Sequence, residues 1–225
     1  MLKIALRHPS GILLFAQLAA VLLYPFMEGN AAGRAIFSAF GIAFLALVVM
    51  AVRASPVQLW VSVMFALPAT VLLLIQAVSG DDKLLPYSSA LEAVLYLYAA
   101  YALVKYMLAD REITTDELFA VGATFTLVAW AFAYMYTVVQ AIEPGSFTAA
   151  VNPGDERTWM ELLFLSFTTL TSTGLSDVVP VKAFARGLVM IEQVAGLGYI
   201  ALVVSRLVGL TVIGHRAGDD PPHAG

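Results

Sequence analysis

The chain predicts an all-α membrane protein: six transmembrane helices, with a short re-entrant helix and a polar hairpin between the fifth and the sixth. Three observations carry this expectation. Hydrophobic residues make up 60% of the 225 and charged residues only 12%, and the mean hydropathy is +0.86. Too little polar surface exists to cover such a chain in water. The charges leave long apolar gaps, each comparable with the roughly 20 residues a helix needs to cross a bilayer core. One stretch, Thr168 to Pro180, breaks the last apolar region with threonine, serine and glycine. As buried helices of a soluble protein, six apolar segments would lack the polar helix needed to wrap them.

The gaps define the elements in order. The first lies between His8 and Glu28, the second between Arg34 and Arg53, and the third between Arg53 and Asp81, with Pro56 at its start and Pro68 inside it. A proline is tolerated within a packed membrane bundle, where neighbours satisfy the freed backbone groups. The fourth span runs from Leu84 to Tyr106 and contains Glu92, and the fifth runs from Leu118 to Ile142. The sixth runs from Val181 to Leu210 and contains Glu192. The first span has no small-residue cleavage pattern and is expected to be retained.

Between the fourth and fifth spans stands a dense run of charge, Asp110 to Glu117, which marks a joint between two units. Thr114 or Thr115 is suited to cap the fifth helix, with acidic residues favourable in its first turn. Between the fifth and sixth spans, Glu143 to Thr158 contains Pro144-Gly145 and Asn152-Pro153-Gly154, the chemistry of an exposed loop. Trp159 to Thr169 then predicts a helix of about three turns, too short to span. An even number of spans puts both termini on one side. Lys3, Arg7, Arg53, Lys105, Arg111, Arg206 and Arg216 share that side, against Arg34, Lys83, Arg157, Lys182 and Arg186. The basic bias predicts a multi-pass plasma-membrane protein with both termini cytoplasmic. With 0 cysteines, disulfide bracing and thiol chemistry are excluded.

The hairpin has the composition of an ion filter. Hydroxyls and a flexible glycine beside a span can present backbone carbonyls to a cation, and Asp177 adds negative charge at the mouth. A helix that re-enters the membrane ahead of it directs the negative end of its dipole toward the ion. Ser166-Phe-Thr-Thr-Leu-Thr171 after a Trp-started helix, a filter ending in Asp177-x-x-Pro180, and Ile191-Glu-Gln-Val-Ala-Gly-Leu-Gly-Tyr199 then carry a resemblance. Residues 118 to 210 resemble the pore domain of tetrameric potassium channels, especially bacterial six-span members of the voltage-gated-like cation channel superfamily. The resemblance implies a homotetramer in the lipid bilayer, because one hairpin supplies a quarter of a carbonyl ring. It divides the chain into a four-helix membrane domain over 1–110, a pore domain over 111–214 and a disordered tail over 215–225.

The resemblance also assigns roles. The ion-conducting filter is Ser172, Thr173, Gly174, Leu175 and Ser176, with a monovalent cation held at Ser172, Thr173 and Gly174. Thr171, Asp177 and Glu192 support the filter or form its mouth. Ser172 stands where a threonine offers hydroxyl and carbonyl to the innermost site. Thr173 replaces a valine that packs behind the filter, so its hydroxyl needs a partner. Leu175 replaces a tyrosine or phenylalanine, and Phe164 and Leu165 occupy helix positions where many relatives carry tryptophan. Ser176 replaces the second filter glycine, whose backbone angles cost a residue with a side chain on the order of 1 kcal/mol. The single-glycine loop is also similar to those of Trk-type potassium-uptake proteins. The permeant ion is K+, or Na+ as well if the altered filter is weakly selective. A channel fold that does not conduct is the alternative.

Asp177 has two readings, a brace against the pore helix or one member of a ring of four acids that gathers cations. Glu192 within a span demands a partner, and its place in the outer half suits bracing the back of the filter. Gly196 and Gly198 allow close helix packing or a gating hinge. Glu92 has Ser88, Ser89 and Tyr96 within a turn as hydrogen-bond partners or, in a second reading, senses protons. The tyrosines at 87, 96, 98, 101 and 106 spread over several helix faces and suit packing and interfacial anchoring. The front unit resembles a voltage-sensor domain in number and placement of spans but lacks its arginine series. Its fourth span offers Lys105 alone, and one charge crossing 100 mV contributes only about 2.3 kcal/mol, so steep voltage gating is not expected. His8, His215 and His223 lie near the chain ends, and no nucleophile or metal-ligand spacing falls within the spans, so an enzyme is not expected. Nor is a cofactor, a nucleic-acid partner or a soluble ligand-binding domain.

Overall fold

The computed structural model describes residues 8–27, 31–53, 57–79, 82–109 and 114–219. Pro56, the first half of the charged joint and residues 220–225 lie outside them. The chain runs through α1 (Pro9–Met27), α2 (Ala31–Arg53), α3 (Leu59–Ser79), a 3-10 turn (Asp82–Leu84) and α4 (Leu85–Met107). It continues through α5 (Thr115–Ile142), β1 (Phe147–Ala149), α6 (Trp159–Leu170), β2 (Val178–Pro180) and α7 (Ala183–Asp219). Five helices are long and apolar enough to cross a membrane: α1, α3, α4, α5 and the Ala183–Arg206 part of α7. In α2 the described apolar stretch, Gly41–Arg53, is shorter. The chain is that of a multi-pass membrane protein.

Local chemistry sets the helix ends. Pro9 starts α1 and Pro86 sits in the first turn of α4, where a missing N–H costs nothing. Thr114 caps α5, its hydroxyl accepting the Glu117 N–H at 3.2 Å, with Asp116 and Glu117 in the first turn. Thr158 and Glu161 form a reciprocal capping box on α6. The last helix continues to Asp219, into the residues 215–225 that were expected to form a disordered tail.

The core has two parts. One joins α1 to α5 and gathers aromatic rings: Phe44 of α2 lies 4.6 Å from Trp130 of α5, and Trp159 of α6 lies 5.2 Å from Trp130 and 5.5 Å from Tyr24 of α1. The other lies around Tyr136, Phe147, Leu162, Leu165, Val178 and Val189, behind the hairpin. α4 packs along α5, so the front helices lean on the outer face of the α5–α6–α7 unit.

Two expectations need correction here. The loop from Glu143 to Thr158 is not simply an exposed turn, and the fold is not purely helical. β1 pairs antiparallel with β2, with Phe147 opposite Pro180 and Ala149 opposite Val178, and both Phe147 and Ala149 are buried. Pro144-Gly145 supplies the turn into β1, with Gly145 at φ +75° in the left-handed region. Arg157, read from sequence only as an outer-side basic residue, is buried and organises the loop. Its guanidinium donates to the carbonyls of Val151, Asn152 and Asp155 and pairs with Glu161 at 3.1 Å. Gln140 of α5 completes the frame, donating to the Arg157 carbonyl at 3.0 Å and accepting its N–H at 2.9 Å.

Candidate functional site

The hairpin follows α6 through a helix ending of defined type. With Thr171 as C-cap, Ser172 takes the left-handed conformation at φ +59°. Its N–H donates to the Thr169 carbonyl at 2.9 Å, and the Thr173 N–H donates to the Thr168 carbonyl at 3.0 Å. This is the Schellman pattern, normally closed by glycine. The Thr168 carbonyl also accepts the Gly174 N–H at 3.1 Å and the Thr173 hydroxyl at 3.3 Å. The Thr171 hydroxyl donates to the Phe167 carbonyl at 2.7 Å and lies 3.0 Å from the Thr173 hydroxyl. The last-turn carbonyls of α6 are thus largely taken up by the hairpin itself.

Gly174 is the second left-handed position, at φ +64°. Ser176 is not one. The backbone strain expected there is absent, because the positive φ of a non-glycine residue falls on Ser172 instead. Ser176 uses its hydroxyl to accept the Val178 N–H at 3.0 Å and so leads the chain into β2. Thr173 does find partners for its hydroxyl, but as an exposed residue of the hairpin and not packed behind it.

From Thr171 to Leu175 every residue is exposed in the protomer, Leu175 at 77%, while the helices behind them are densely packed. Asp177 is exposed as well, and among the described residues no hydrogen bond or ion pair joins its carboxylate to α6. The reading of Asp177 as a brace therefore has no support within one protomer. Of the two positions read against tryptophan, Leu165 is buried in the core behind the hairpin and Phe164 is half exposed.

Glu192 of α7 is fully buried and ties three helices together. It accepts from the Tyr136 hydroxyl of α5 and is hydrogen-bonded to Ser166 of α6, whose hydroxyl also donates to the Ala129 carbonyl at 2.8 Å. Such satisfaction is what a carboxyl group in a span requires. Tyr136 was not singled out from sequence, and Ser166 entered only as the first residue of the pore-helix motif, with no bond to Glu192 assigned. Each reads as an ordinary member of an apolar helix, and the only signal was that Glu192 must have partners.

The two glycines of α7 differ. A Cβ on Gly196 would lie 2.1 Å from the Leu170 carbonyl oxygen, so α7 and the end of α6 meet at backbone contact there. Gly198 has open space around it and lines an apolar cavity of about 260 Å³ with Phe125, Leu170, Tyr199 and Leu202.

Glu92 is buried as expected, but its partner is not on its own helix. The Tyr134 hydroxyl of α5 bonds it. Ser88 is engaged instead with Gln76 at 2.9 Å and the Leu85 carbonyl at 3.1 Å. Tyr96 is buried, whereas Tyr87 and Tyr101 are exposed and Tyr98 donates to the Gln58 carbonyl at 2.8 Å. Lys105 lies 5.8 Å above the Tyr101 ring.

No curated protein and no solved structure matches the chain. A family does: residues 93–212, more than half of the chain, from α4 through the hairpin and most of α7, match the ion channel family. The exposed hydroxyl-rich hairpin, the short capped helix ahead of it and the long apolar helix behind it all fall within that match, and the chain belongs to the ion channel family.

Proposed function

We propose that the chain is a potassium or monovalent-cation channel, a homotetramer conducting passively through a filter formed by residues 172–177 of four subunits. The observation that carries this reading is the run Thr171 to Leu175, exposed without a break at the end of a re-entrant helix while everything behind it is packed. A polar surface of that kind, flanked by apolar helices, has its use where four copies face one another across water. The exposed apolar face of α7, including Met190, Ile191, Val194 and Leu197, is what neighbouring subunits would cover. Asp177 then stands at the mouth as a ring of four acids that raises the local cation concentration. Six spans with both termini in the cytoplasm put that mouth outside. Gly198, where no heavy atom comes within 4 Å of a Cβ position, is the better hinge position, and Gly196 is a packing residue.

Gating is not steeply voltage-dependent on this reading, since Lys105 is the lone cation of the α4 face and rests on an aromatic ring. A second reading, a channel-family subunit that does not conduct, has one observation in its favour. The Thr171 and Thr173 hydroxyls bond to each other and to α6 instead of being turned to an ion. Purified protein reconstituted in liposomes loaded with K+ separates the two. Conduction predicts K+ efflux once a protonophore balances charge, and selectivity over Na+ that rises when Leu175→Tyr and Ser176→Gly are made together. Assembled tetramers with no efflux of either ion would establish the non-conducting reading.

A further inference from the structure

At the end of the bundle opposite the hairpin, two consecutive acids of α5 reach in different directions. Asp116 turns to α1: it accepts the Ser10 N–H at 3.1 Å and the Ser10 hydroxyl at 2.9 Å, and lies 4.0 Å from His8 Nδ1. The Ser10 N–H is one of the donors a helix leaves unsatisfied in its first turn, so Asp116 caps α1 from across the interface while sitting in the first turn of α5. Tyr106 of α4 lies beside the same carboxylate and beside Thr114. Glu117 turns to α7: it pairs with Arg206 at 3.0 Å, the two side chains only 6% and 15% exposed. Apolar Met107, Leu118, Val121 and Leu202 line one pocket with that pair. A buried pair of this kind is costly to break, because removing one partner leaves the other's charge in a largely apolar site.

Two seams extend these contacts along α5. α1 follows α5 at helical spacing. A Cβ on Gly122 would lie 2.9 Å from Leu14, a Cβ on Gly11 would lie 3.1 Å from Phe119, and Gln17 donates to the Ala123 carbonyl at 3.3 Å. α7 is held to α5 a second time by the Tyr199 hydroxyl, which donates to the Val121 carbonyl at 2.7 Å. A displacement of α1 therefore reaches α5 along this seam and, at its first turn, through Asp116.

We infer that Asp116 and Glu117 form a coupling element that makes the position of the far end of α7 depend on α1. Asp116 is the input contact and the Glu117–Arg206 pair is the output contact. Both acids are positioning residues. The inference rests on the pore reading only in taking α7 as the pore-lining helix.

The chain has 0 cysteines, so spin labels can be placed on cysteines introduced at exposed Leu22 of α1 and Val208 of α7. Labelled subunits are diluted into unlabelled ones, and the distance within a subunit is read by pulsed electron resonance. Glu117→Gln is expected to shift or broaden the distance distribution by at least the roughly 2 Å scale of helix displacements. Asp116→Asn is expected to do the same although it leaves the Glu117–Arg206 pair intact. Glu117→Arg with Arg206→Glu should return the distribution toward that of the native chain. If Asp116→Asn does not fold, Ser10→Ala removes one of the same bonds and supplies the test. A native distribution in folded Asp116→Asn or Ser10→Ala would overturn the coupling, and a native distribution in Glu117→Gln would overturn the output contact. Distances are read with or without ion flow, so this result stands apart from any failure of conduction.

Discussion

At Gly196 a single hydrogen in place of a side chain lets α7 touch the Leu170 carbonyl, where a Cβ would come to 2.1 Å. The clash is with backbone and cannot be relieved by a rotamer. Gly196→Ala is therefore expected to destabilise the protein by about 1–3 kcal/mol, as overpacking does, whereas Gly198→Ala, with nothing near it, should be close to neutral or stabilising. Thermal unfolding in detergent compares the two, and equal effects would contradict the geometry. Ser172 offers the opposite change. It closes the α6 terminus at φ +59°, so Ser172→Gly should stabilise the folded protomer by roughly 1 kcal/mol, measured in the same way. Removing the Arg157 guanidinium takes the donors from three loop carbonyls and the partner from Glu161, and Arg157→Ala is expected to destabilise by about 1–3 kcal/mol. Arg157→Lys should not rescue it, because a single ammonium cannot reproduce the fork. Proteolysis of the segment 143–158 reports the loss directly.

At the scale of elements, α5, α6 and α7 are registered by Glu192 with Tyr136 and Ser166. A glutamine keeps a carbonyl to accept from Tyr136 and an amide to meet Ser166, whereas alanine leaves the Tyr136 hydroxyl buried without its partner and Ser166 with the Ala129 carbonyl alone. Glu192→Gln is expected to retain assembly and ion discrimination, and Glu192→Ala to lose discrimination before it loses fold. Potassium-to-sodium permeability ratios of the two variants check this, and an unimpaired Glu192→Ala would remove Glu192 from any supporting role. Helix ends were legible at this scale where their signals are local: Thr114 or Thr115 with acids behind it, and charges that bound each apolar run. The β1–β2 ribbon was not, since Phe147 and Val178 lie far apart in sequence and each strand is too short for a period to appear. Nor was the partner of Glu92, which the sequence sought one turn away and the fold supplies from α5. The left-handed turn was sought at Ser176, where a glycine was missing, and lies at Ser172, because the hydrogen bonds of a helix terminus decide it.

For the whole molecule, hydropathy and the spacing of charges were enough to read a multi-pass helical protein, and the hairpin with its flanking helices was enough to read the ion channel family. How α1 joins the rest was hidden, because Ser10 and Asp116 are separated by most of the front unit and nothing in either segment names the other. The central claim is that four copies of the Thr171–Asp177 hairpin make a cation-selective pore. Recording from purified protein in planar bilayers, with KCl on one side and NaCl on the other, tests it most directly. The expected result is a current that reverses at a potential favouring K+, abolished at both polarities when Gly174→Pro removes the flexible filter position. Tetramers that pass no current, or a current that under a KCl concentration gradient reverses at the chloride equilibrium potential, would contradict the account.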